Sequence, residues 1–177
     1  CGHEVLLQPL VDAGRAYPLV LDLGCGSGLC ARMVQAQAGA IDGVDVSAAM
    51  VTQARATGLY RRVEHADLLP FLASSDEPAD LVMAADVFIY VGALDAVFEA
   101  VRRRLRPGGC FAFSVERHDG PQDLQLLPSM RYAHAPTYVQ RLADAQGLRV
   151  RRQWEGLLRQ DQDRPIPGLY FHLELPA

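Results

Sequence analysis

Short apolar runs alternate with helical patterns along most of this chain, and no other feature constrains the fold as strongly. The apolar runs cover residues 18–24, 40–46, 61–67, 79–86 and 110–116. Each has the length of a β-strand, and the third is partly polar, which predicts a place near a sheet edge. Because parallel neighbours need a crossover connection, the alternation predicts an α/β fold with a parallel sheet.

Residues that typically begin or end a helix occur at the boundaries of the segments between these strands. We predict helices over 3–14, 27–38, 47–58, 94–105 and 136–146. Ser47 has a side chain that can cap the third helix, and Pro107 in "RPGG" cannot continue the fourth. The other four end at a glycine, namely Gly14, Gly39, Gly58 and Gly147. Glycine is favoured there because it adopts the left-handed conformation of a helix end without strain.

The last third of the chain departs from the alternation. Residues 148–158 and 168–175 alternate or are apolar, and about ten residues separate them, which predicts an antiparallel hairpin. Residues 117–135 are too long for a simple connection, and a segment of that length is typical of a functional loop.

Length and composition exclude several classes of protein. The 177 residues suit one domain, and the net charge of −4 favours no nucleic-acid partner. All the basic side chains other than histidine are arginines, which excludes a Schiff-base lysine and a P-loop lysine. No apolar run reaches the roughly 18 residues of a membrane span, and no signal peptide is visible. We therefore expect a cytoplasmic protein without membrane contact.

The first residue and the cysteines lead to two further expectations. Because the chain opens at Cys1 rather than at methionine, we expect residues 1–177 to be a single domain that forms the C-terminal part of a longer polypeptide, or else a processed product. Cys1, Cys25, Cys30 and Cys110 lack metal-binding spacing. We interpret them as reduced thiols that fill apolar space, and we expect no metal site.

The segment "LDLGCGSGLC" (21–30) is the strongest candidate for a ligand site. Gly24 and Gly26 allow a ligand to lie against the main chain, and Gly28 opens a helix whose first N–H groups are free. Read from Gly26, the letters match the dinucleotide pattern G-x-G-x-x-A. Read from Gly24, where the strand ends, the pattern is G-x-G-x-G. The glycines alone leave both kinds of ligand open.

Acids at the strand ends favour a cationic nucleoside over a dinucleotide. Asp22 precedes the loop, Asp45 ends the second strand and Asp67 ends the third. Asp45 can accept from both hydroxyls of a ribose, and Asp67 can accept from an adenine amine. An acid facing a pyrophosphate is unfavourable, whereas a sulfonium and an α-amino group attract one.

The pattern D-x-G-x-G-x-G, followed by "GVDVS" and "HADLL", resembles the class I S-adenosylmethionine-dependent methyltransferases. Residues 79–116 are similar to their fourth and fifth strands, including the "LRPGG" turn. The resemblance covers nearly the whole chain and implies a Rossmann-like fold. The sheet expected for this fold has seven mostly parallel strands, including one antiparallel strand, and helices cover both of its faces. More narrowly, "DVFIYVG", "FSVE", "RYAH" and "IPGL" resemble methyltransferases joined to tetratricopeptide repeats, which implies a repeat domain before Cys1.

The resemblance also implies which residues hold S-adenosylmethionine and its product S-adenosylhomocysteine. It places Asp22, Gly24, Cys25 and Gly26 at the methionine end, and Ala85 and Asp86 near the methionine part and the reacting methyl. It places Asp45 at the ribose, Val46 and Met50 beside the adenine, and Asp67 and Leu68 on the edge and face of the adenine.

Three residues are candidates for chemistry at the acceptor, each with a plainer alternative. Asp86 is either an active-site acid or a cap for the segment that begins at Val87. Tyr90 either faces the sulfonium or substrate, or only packs. His134 is either a general base, a role for which His118 also qualifies, or a surface histidine.

The predicted activity is methyl transfer to a small-molecule acceptor. The signature [DN]-P-P-[YFW] is absent after the fourth strand, where "DVFIY" stands, which argues against adenine or glutamine side chains as acceptors. One alternative is a protein or nucleic-acid methyltransferase guided by an upstream domain. Another is a non-catalytic cofactor-binding module or a nicotinamide-dependent oxidoreductase.

Overall fold

A nine-stranded, mostly parallel sheet runs through the protein in the computed structural model, which describes residues 1–177. The strands are β1 Tyr17–Leu23, β2 Ala38–Asp45, β3 Arg62–His65, β4 Ala79–Ala84, β5 Leu105–Arg117, β6 Leu124–Leu126, β7 Tyr132–His134, β8 Arg149–Asp161 and β9 Arg164–Glu174. The helices are α1 Gly2–Ala13, α2 Leu29–Val34, α3 Ala48–Ala56, α4 Leu68–Ala73, α5 Asp95–Arg104 and α6 Pro136–Ala145, with a 3₁₀ helix at Phe88–Tyr90. None of them combines the length and the apolar character needed to span a membrane.

The strand order is β3-β2-β1-β4-β5-β7-β6, with β9 beside β5 and β8 beside β9. The predicted α/β class is confirmed, and β3 lies at an edge as its polar residues indicated. The expected strand count is too low. Residues 117–135 contribute the short strands β6 and β7, and β5 is long enough to pair with both β7 and β9. Three pairs are antiparallel, namely β5 with β9, β8 with β9 and β6 with β7.

Alternate residues of the central strands face two separate cores, so helices cover both faces as expected. Leu19, Leu21 and Leu23 of β1 belong to the larger core, which also includes residues of α4, α5 and α6. Val20 of β1 belongs to the second core, with residues of α1 and α2. This alternation follows from the two-residue repeat of a strand, and it leaves the strand ends free to form a site.

The helix predicted over 27–38 is wrong at both ends. α2 covers only Leu29–Val34, and β2 already begins at Ala38. A Cβ atom on Gly39 would lie 2.6 Å from the carbonyl oxygen of Pro18 in β1. Gly39 therefore allows close contact between neighbouring strands and does not end a helix.

The C-terminal hairpin is confirmed but is longer than predicted. β8 and β9 pair up to Asp161 and Arg164, and only Gln162 and Asp163 connect them. Both connecting residues have positive φ, which is the conformation of a tight two-residue hairpin turn. β5 pairs with β9 only as far as Gly168, so the tip of the hairpin extends beyond the carboxyl end of β5.

Candidate functional site

Two adjoining cavities lie where the carboxyl ends of β1, β2 and β4 meet. The smaller has a volume of about 320 Å³ and the larger about 640 Å³. Gly24 and Asp86 line both of them, so the cavities meet at these two residues. The position agrees with the general rule that ligands of open α/β sheets bind beyond the carboxyl ends of the strands.

The glycine loop has a backbone conformation that residues other than glycine rarely adopt. Gly24, Gly26 and Gly28 have φ values of 63°, 53° and 95°. A Cβ atom on Gly24 would lie 2.5 Å from Cγ2 of Val87. A Cβ atom on Gly26 would meet nothing within 4 Å, so this part of the loop faces open space. The loop is therefore a bare main-chain surface beside both cavities.

Asp45 connects the glycine loop to the start of α3. The backbone N–H groups of Gly26 and Ser47 each donate to one carboxylate oxygen of Asp45, both at 2.9 Å. Ser47 in turn caps α3 by accepting from the backbone N–H of Met50, as predicted. Asp45 lines the smaller cavity, and each of its oxygens keeps a lone pair for a ligand.

The far wall of the smaller cavity combines apolar surface with an unpaired acid. Val46 and Leu68 line it, and 65% of Val46 is exposed. Asp67 begins α4, yet its side chain makes no capping hydrogen bond. Its carboxylate therefore remains available to a hydrogen-bond donor in the cavity.

The junction of the cavities is formed by Asp86, whose backbone is unusual. Its φ of 57° lies in the left-handed region, and its N–H donates to Oγ of Ser114 at 2.9 Å. Burial raises the pKa of Asp86, while Arg159 and Arg131 act in the opposite direction. Tyr90 lines the smaller cavity, and 67% of it is exposed.

The larger cavity is lined by further residues predicted for the methionine part, and also by Met50, which was predicted to lie beside the adenine. Cys25, Gly26, Met50 and Ala85 all line it, and Cys25 is otherwise buried. Eleven of the thirteen predicted site residues line the two cavities, and Asp22 and His134 line neither of them.

Asp22 is enclosed behind the glycine loop, contrary to the expectation of a ligand contact. It is 1% exposed and lines neither cavity. The hydroxyl of Tyr60 donates to its carboxylate at 2.7 Å. Asp22 therefore points from β1 into the protein interior, and its side chain does not form part of the loop surface.

We expect Asp22→Asn to remove a pH dependence of the unfolding free energy. Burial raises the pKa of Asp22 to about 7; the hydrogen bond from Tyr60 opposes this rise and the charge of Asp45 adds to it. The unfolded value is about 3.9. Between these values the folded state holds a proton that the unfolded chain releases, so the free energy of unfolding falls as pH rises, by up to about 4 kcal/mol.

Urea unfolding at about pH 4.5 and about pH 7.5 measures this slope. The wild-type protein should lose stability at the higher pH relative to Asp22→Asn. Asp12→Asn, on the exposed surface of α1, is the matched control and should keep the wild-type slope. An unchanged slope in Asp22→Asn would contradict the shifted pKa.

The structure does not support a general base at His134, nor the alternative of a surface histidine. The ring is fully buried and lines neither cavity. Its Nε2 lies 2.8 Å from the carbonyl oxygen of Gly92, and burial lowers its pKa. Pairing of β7 with β5 turns this ring into the protein, where it packs against Tyr138. His118 is also buried.

Sequence reasoning missed Arg159, which lines the larger cavity from the hairpin tip. Its guanidinium donates to Oε2 of Glu116 at 2.7 Å. Arg131 donates to the carboxylate of Asp161 in the same hairpin at 3.2 Å. No sequence signal marked Arg159, because the predicted strand ended at residue 158.

A family model described as a methyltransferase domain matches residues 20–109, which is 90 of the 177 residues. The matched segment contains the glycine loop, Asp45, Asp67 and Asp86. This chain belongs to the methyltransferase-domain family. The predicted family is thereby confirmed, whereas the narrower resemblance to proteins with tetratricopeptide repeats stays a prediction.

Curated proteins similar to this methyltransferase domain are themselves named as methyltransferases. It is 31% identical to trans-aconitate 2-methyltransferase of Methylobacterium nodulans over 151 residues, which cover 81% of this chain and 57% of that protein. It is 34% identical to ubiquinone biosynthesis O-methyltransferase of Alkalilimnicola ehrlichii over 100 residues, which cover 54% of this chain and 40% of that protein. The chain thus spans about half the length of the curated relatives it matches.

Solved structures share the fold of this methyltransferase domain. The N-methyltransferase NodS of Bradyrhizobium japonicum WM9, in complex with S-adenosyl-L-homocysteine, is 21% identical with a TM-score of 0.76. The match covers 99% of this chain and 86% of that one. A methyltransferase from Listeria monocytogenes has the same TM-score at 20% identity, and the match covers 99% of both chains. These likenesses confirm the expected Rossmann-like methyltransferase fold.

Proposed function

We propose that this methyltransferase domain binds S-adenosylmethionine and transfers its methyl group to a small-molecule acceptor. One observation carries the proposal. The bare glycine loop lies where two cavities meet, and the smaller cavity is lined by Asp45, Asp67 and Asp86 without a basic side chain. Such a wall suits the hydroxyl and amine groups of an adenosine and opposes a diphosphate.

The residues present fit the cofactor part by part. Asp45 has free lone pairs for the ribose hydroxyls, and Asp67 has a carboxylate without a partner for the adenine amine. Val46 and Leu68 offer apolar surface to the faces of the base. Gly24 and Gly26 leave room for the chain that follows the ribose, which extends into the larger cavity toward Cys25, Met50 and Ala85.

The proposed mechanism depends mainly on alignment. When bound, S-adenosylmethionine supplies a methyl group that its sulfonium has already activated. The glycine loop and Asp45 fix the position of that group. The junction at Gly24 and Asp86, beside Tyr90 in the smaller cavity, leaves space for an acceptor. Holding two reactants in line supplies much of the rate enhancement, so an acceptor that is already nucleophilic needs no general base. The burial of His118 and His134 agrees with such a mechanism.

The names of the two curated relatives refer to trans-aconitate and to ubiquinone biosynthesis, which supports a small-molecule acceptor for this chain. An association with tetratricopeptide repeats and a cytoplasmic location stay predictions.

Nucleoside binding tests the proposal. S-adenosylhomocysteine at about 100 times its Kd should raise the free energy of unfolding by about 2.7 kcal/mol, whereas NAD should leave it unchanged. Calorimetry supplies the Kd, and thermal unfolding supplies the shift. Formation of S-adenosylhomocysteine from S-adenosylmethionine in the presence of small carboxylic acids, phenols or amines, followed by mass spectrometry, then tests transfer. Stabilisation by NAD alone would contradict the proposal.

A further inference from the structure

Tyr60 occupies a narrow space behind the glycine loop, between β2 and the start of α2. A Cβ atom on Gly43 of β2 would lie 2.8 Å from Cε1 of its ring, and one on Gly28 would lie 3.4 Å from Cε2. The backbone N–H of Arg61 donates to the carbonyl oxygen of Ile41 in β2 at 2.8 Å, which fixes the chain beside the ring. Glycines on two elements thus make room for this one side chain, and the ring lies against the last glycine of the loop.

The hydroxyl of Tyr60 is directed at Asp22, the buried acid that precedes the loop. It donates to Oδ2 of Asp22 at 2.7 Å, and Asp22 is 1% exposed. A hydrogen bond to an ionised carboxylate is roughly twice as strong as one between neutral groups, so Tyr60 favours the ionised form of Asp22. Tyr60 therefore contacts both Asp22 and Gly28, although it lines neither cavity.

No basic side chain faces Asp22 to hold a charge on it. The titratable groups around it are Tyr60, Asp45 of β2, Cys25 of the loop and Cys30 of α2. Burial raises the pKa of Asp22 to about 7, the hydrogen bond from Tyr60 lowers it, and the charge of Asp45 raises it. Burial also raises the pKa values of Cys25, Cys30 and Tyr60, so these three groups stay neutral near neutral pH. Tyr60 is therefore the neighbour that stabilises the ionised carboxylate.

We propose that Tyr60 is a positioning residue: its hydroxyl orients the Asp22 carboxylate and stabilises its ionised form behind the glycine loop, and this charge favours a cationic ligand. The inference rests on the proposed function, because it concerns the affinity of the loop for S-adenosylmethionine. A charge enclosed by protein is screened less than one on the surface, so Asp22 acts across the loop without touching the ligand.

Tyr60→Phe tests the proposal at two pH values, because it keeps the ring in place and removes only the hydroxyl. Without the hydroxyl the pKa of Asp22 should rise, so more of the carboxyl stays neutral. At about pH 8.5, where wild-type Asp22 is ionised, the variant should bind S-adenosylmethionine about threefold to tenfold more weakly. At about pH 6, where Asp22 is protonated in both proteins, the affinities measured by calorimetry should agree within about twofold. The same loss at both pH values would show a purely structural role and overturn the proposal.

A neutral ligand isolates the effect of the charge. 5′-Methylthioadenosine has the adenosine and the sulfur atom of S-adenosylmethionine, but it lacks the sulfonium charge and the amino-acid group. Its affinity for Tyr60→Phe should equal its affinity for the wild type within about twofold at both pH values. An equal loss of both ligands would contradict an action through the charge of Asp22.

A double variant tests whether Tyr60 acts through Asp22. Asp22→Asn has no carboxylate to ionise, so at about pH 8.5 it should lose about as much affinity for S-adenosylmethionine as Tyr60→Phe. Tyr60→Phe/Asp22→Asn should bind like Asp22→Asn alone, because the hydroxyl then has no charge to stabilise. Additive losses would overturn the proposal. If Tyr60→Phe does not fold, the comparison of the double variant with Asp22→Asn provides the test, since neither contains an unpaired buried charge.

Tyr138→Phe is the matched control. The hydroxyl of Tyr138 also donates to an aspartate, Asp95, at 2.7 Å, and neither residue lines the two cavities. This variant should bind both ligands like the wild type at both pH values. If the wild type binds neither ligand, the proposed function fails. If the wild type binds S-adenosylmethionine and Tyr60→Phe matches it at both pH values, the role of Tyr60 alone is overturned.

Discussion

Gly24→Ala is expected to weaken S-adenosylhomocysteine binding by more than about a hundredfold, which corresponds to about 3 kcal/mol. The new Cβ would lie 2.5 Å from Cγ2 of Val87, far inside any real contact. An alanine at a φ of 63° also adds left-handed strain of about 1–2 kcal/mol. Either the loop or Val87 must move, and because both line the smaller cavity, the space for the nucleoside is lost. Calorimetry measures the effect.

Two variants isolate the cause. Gly14 has a φ of 67° and no atom within 4 Å of a built Cβ, so Gly14→Ala brings the strain without the clash and should leave affinity unchanged. Gly24→Ala/Val87→Ala removes the clash and should recover part of the affinity. Wild-type binding by Gly24→Ala would show that the loop does not hold the ligand.

Asp45→Ala is expected to weaken the same ligand about tenfold to a hundredfold. A charge-assisted hydrogen bond is worth roughly 1.5–3 kcal/mol, and the substitution removes the proposed acceptor of the ribose hydroxyls. It also frees the N–H groups of Gly26 and Ser47, so the loop loses its tie to α3. The loss should appear equally for 5′-methylthioadenosine, because both nucleosides contain the ribose.

The control for this change is Asp12→Ala, an acid on the exposed surface of α1. It should bind both nucleosides like the wild type. If Asp45→Ala keeps wild-type affinity while it remains folded, the ribose does not lie on this carboxylate.

The sequence correctly predicted the site residues that lie where a strand ends. Asp45 ends β2, and Asp67 follows the end of the neighbouring parallel strand β3. Such ends meet at one edge of a sheet, so the convergence of the two acids on one cavity was predictable. The three glycines were recognisable because few other residues adopt their backbone conformation.

The residues that sequence misplaced depend on side-chain direction or on remote contacts. Asp22 is next to the glycine loop in sequence, but its direction in β1 turns it toward Tyr60 and away from the cavity. His134 lies in a three-residue strand, too short for a periodic pattern to show which way it faces.

Arg159 reaches the site only because the hairpin is longer than its apolar pattern. The turn at Gln162 and Asp163 contains neither glycine nor asparagine, so the sequence offers no sign that the strands continue to it. The outer part of β8 is polar, and that of β9 contains Pro165, Pro167 and Gly168, a composition that is typical of a loop. A pairing of β8 with β9 over this stretch can be found only from the folded chain.

A crystal structure with S-adenosylhomocysteine tests the central claim most directly. Density should show the adenine between Val46 and Leu68 with its amine at Asp67, the ribose on Asp45, and the rest of the molecule passing Gly24 into the larger cavity. Density for the nucleoside outside these two cavities, or a nicotinamide dinucleotide across the glycine loop, would contradict it.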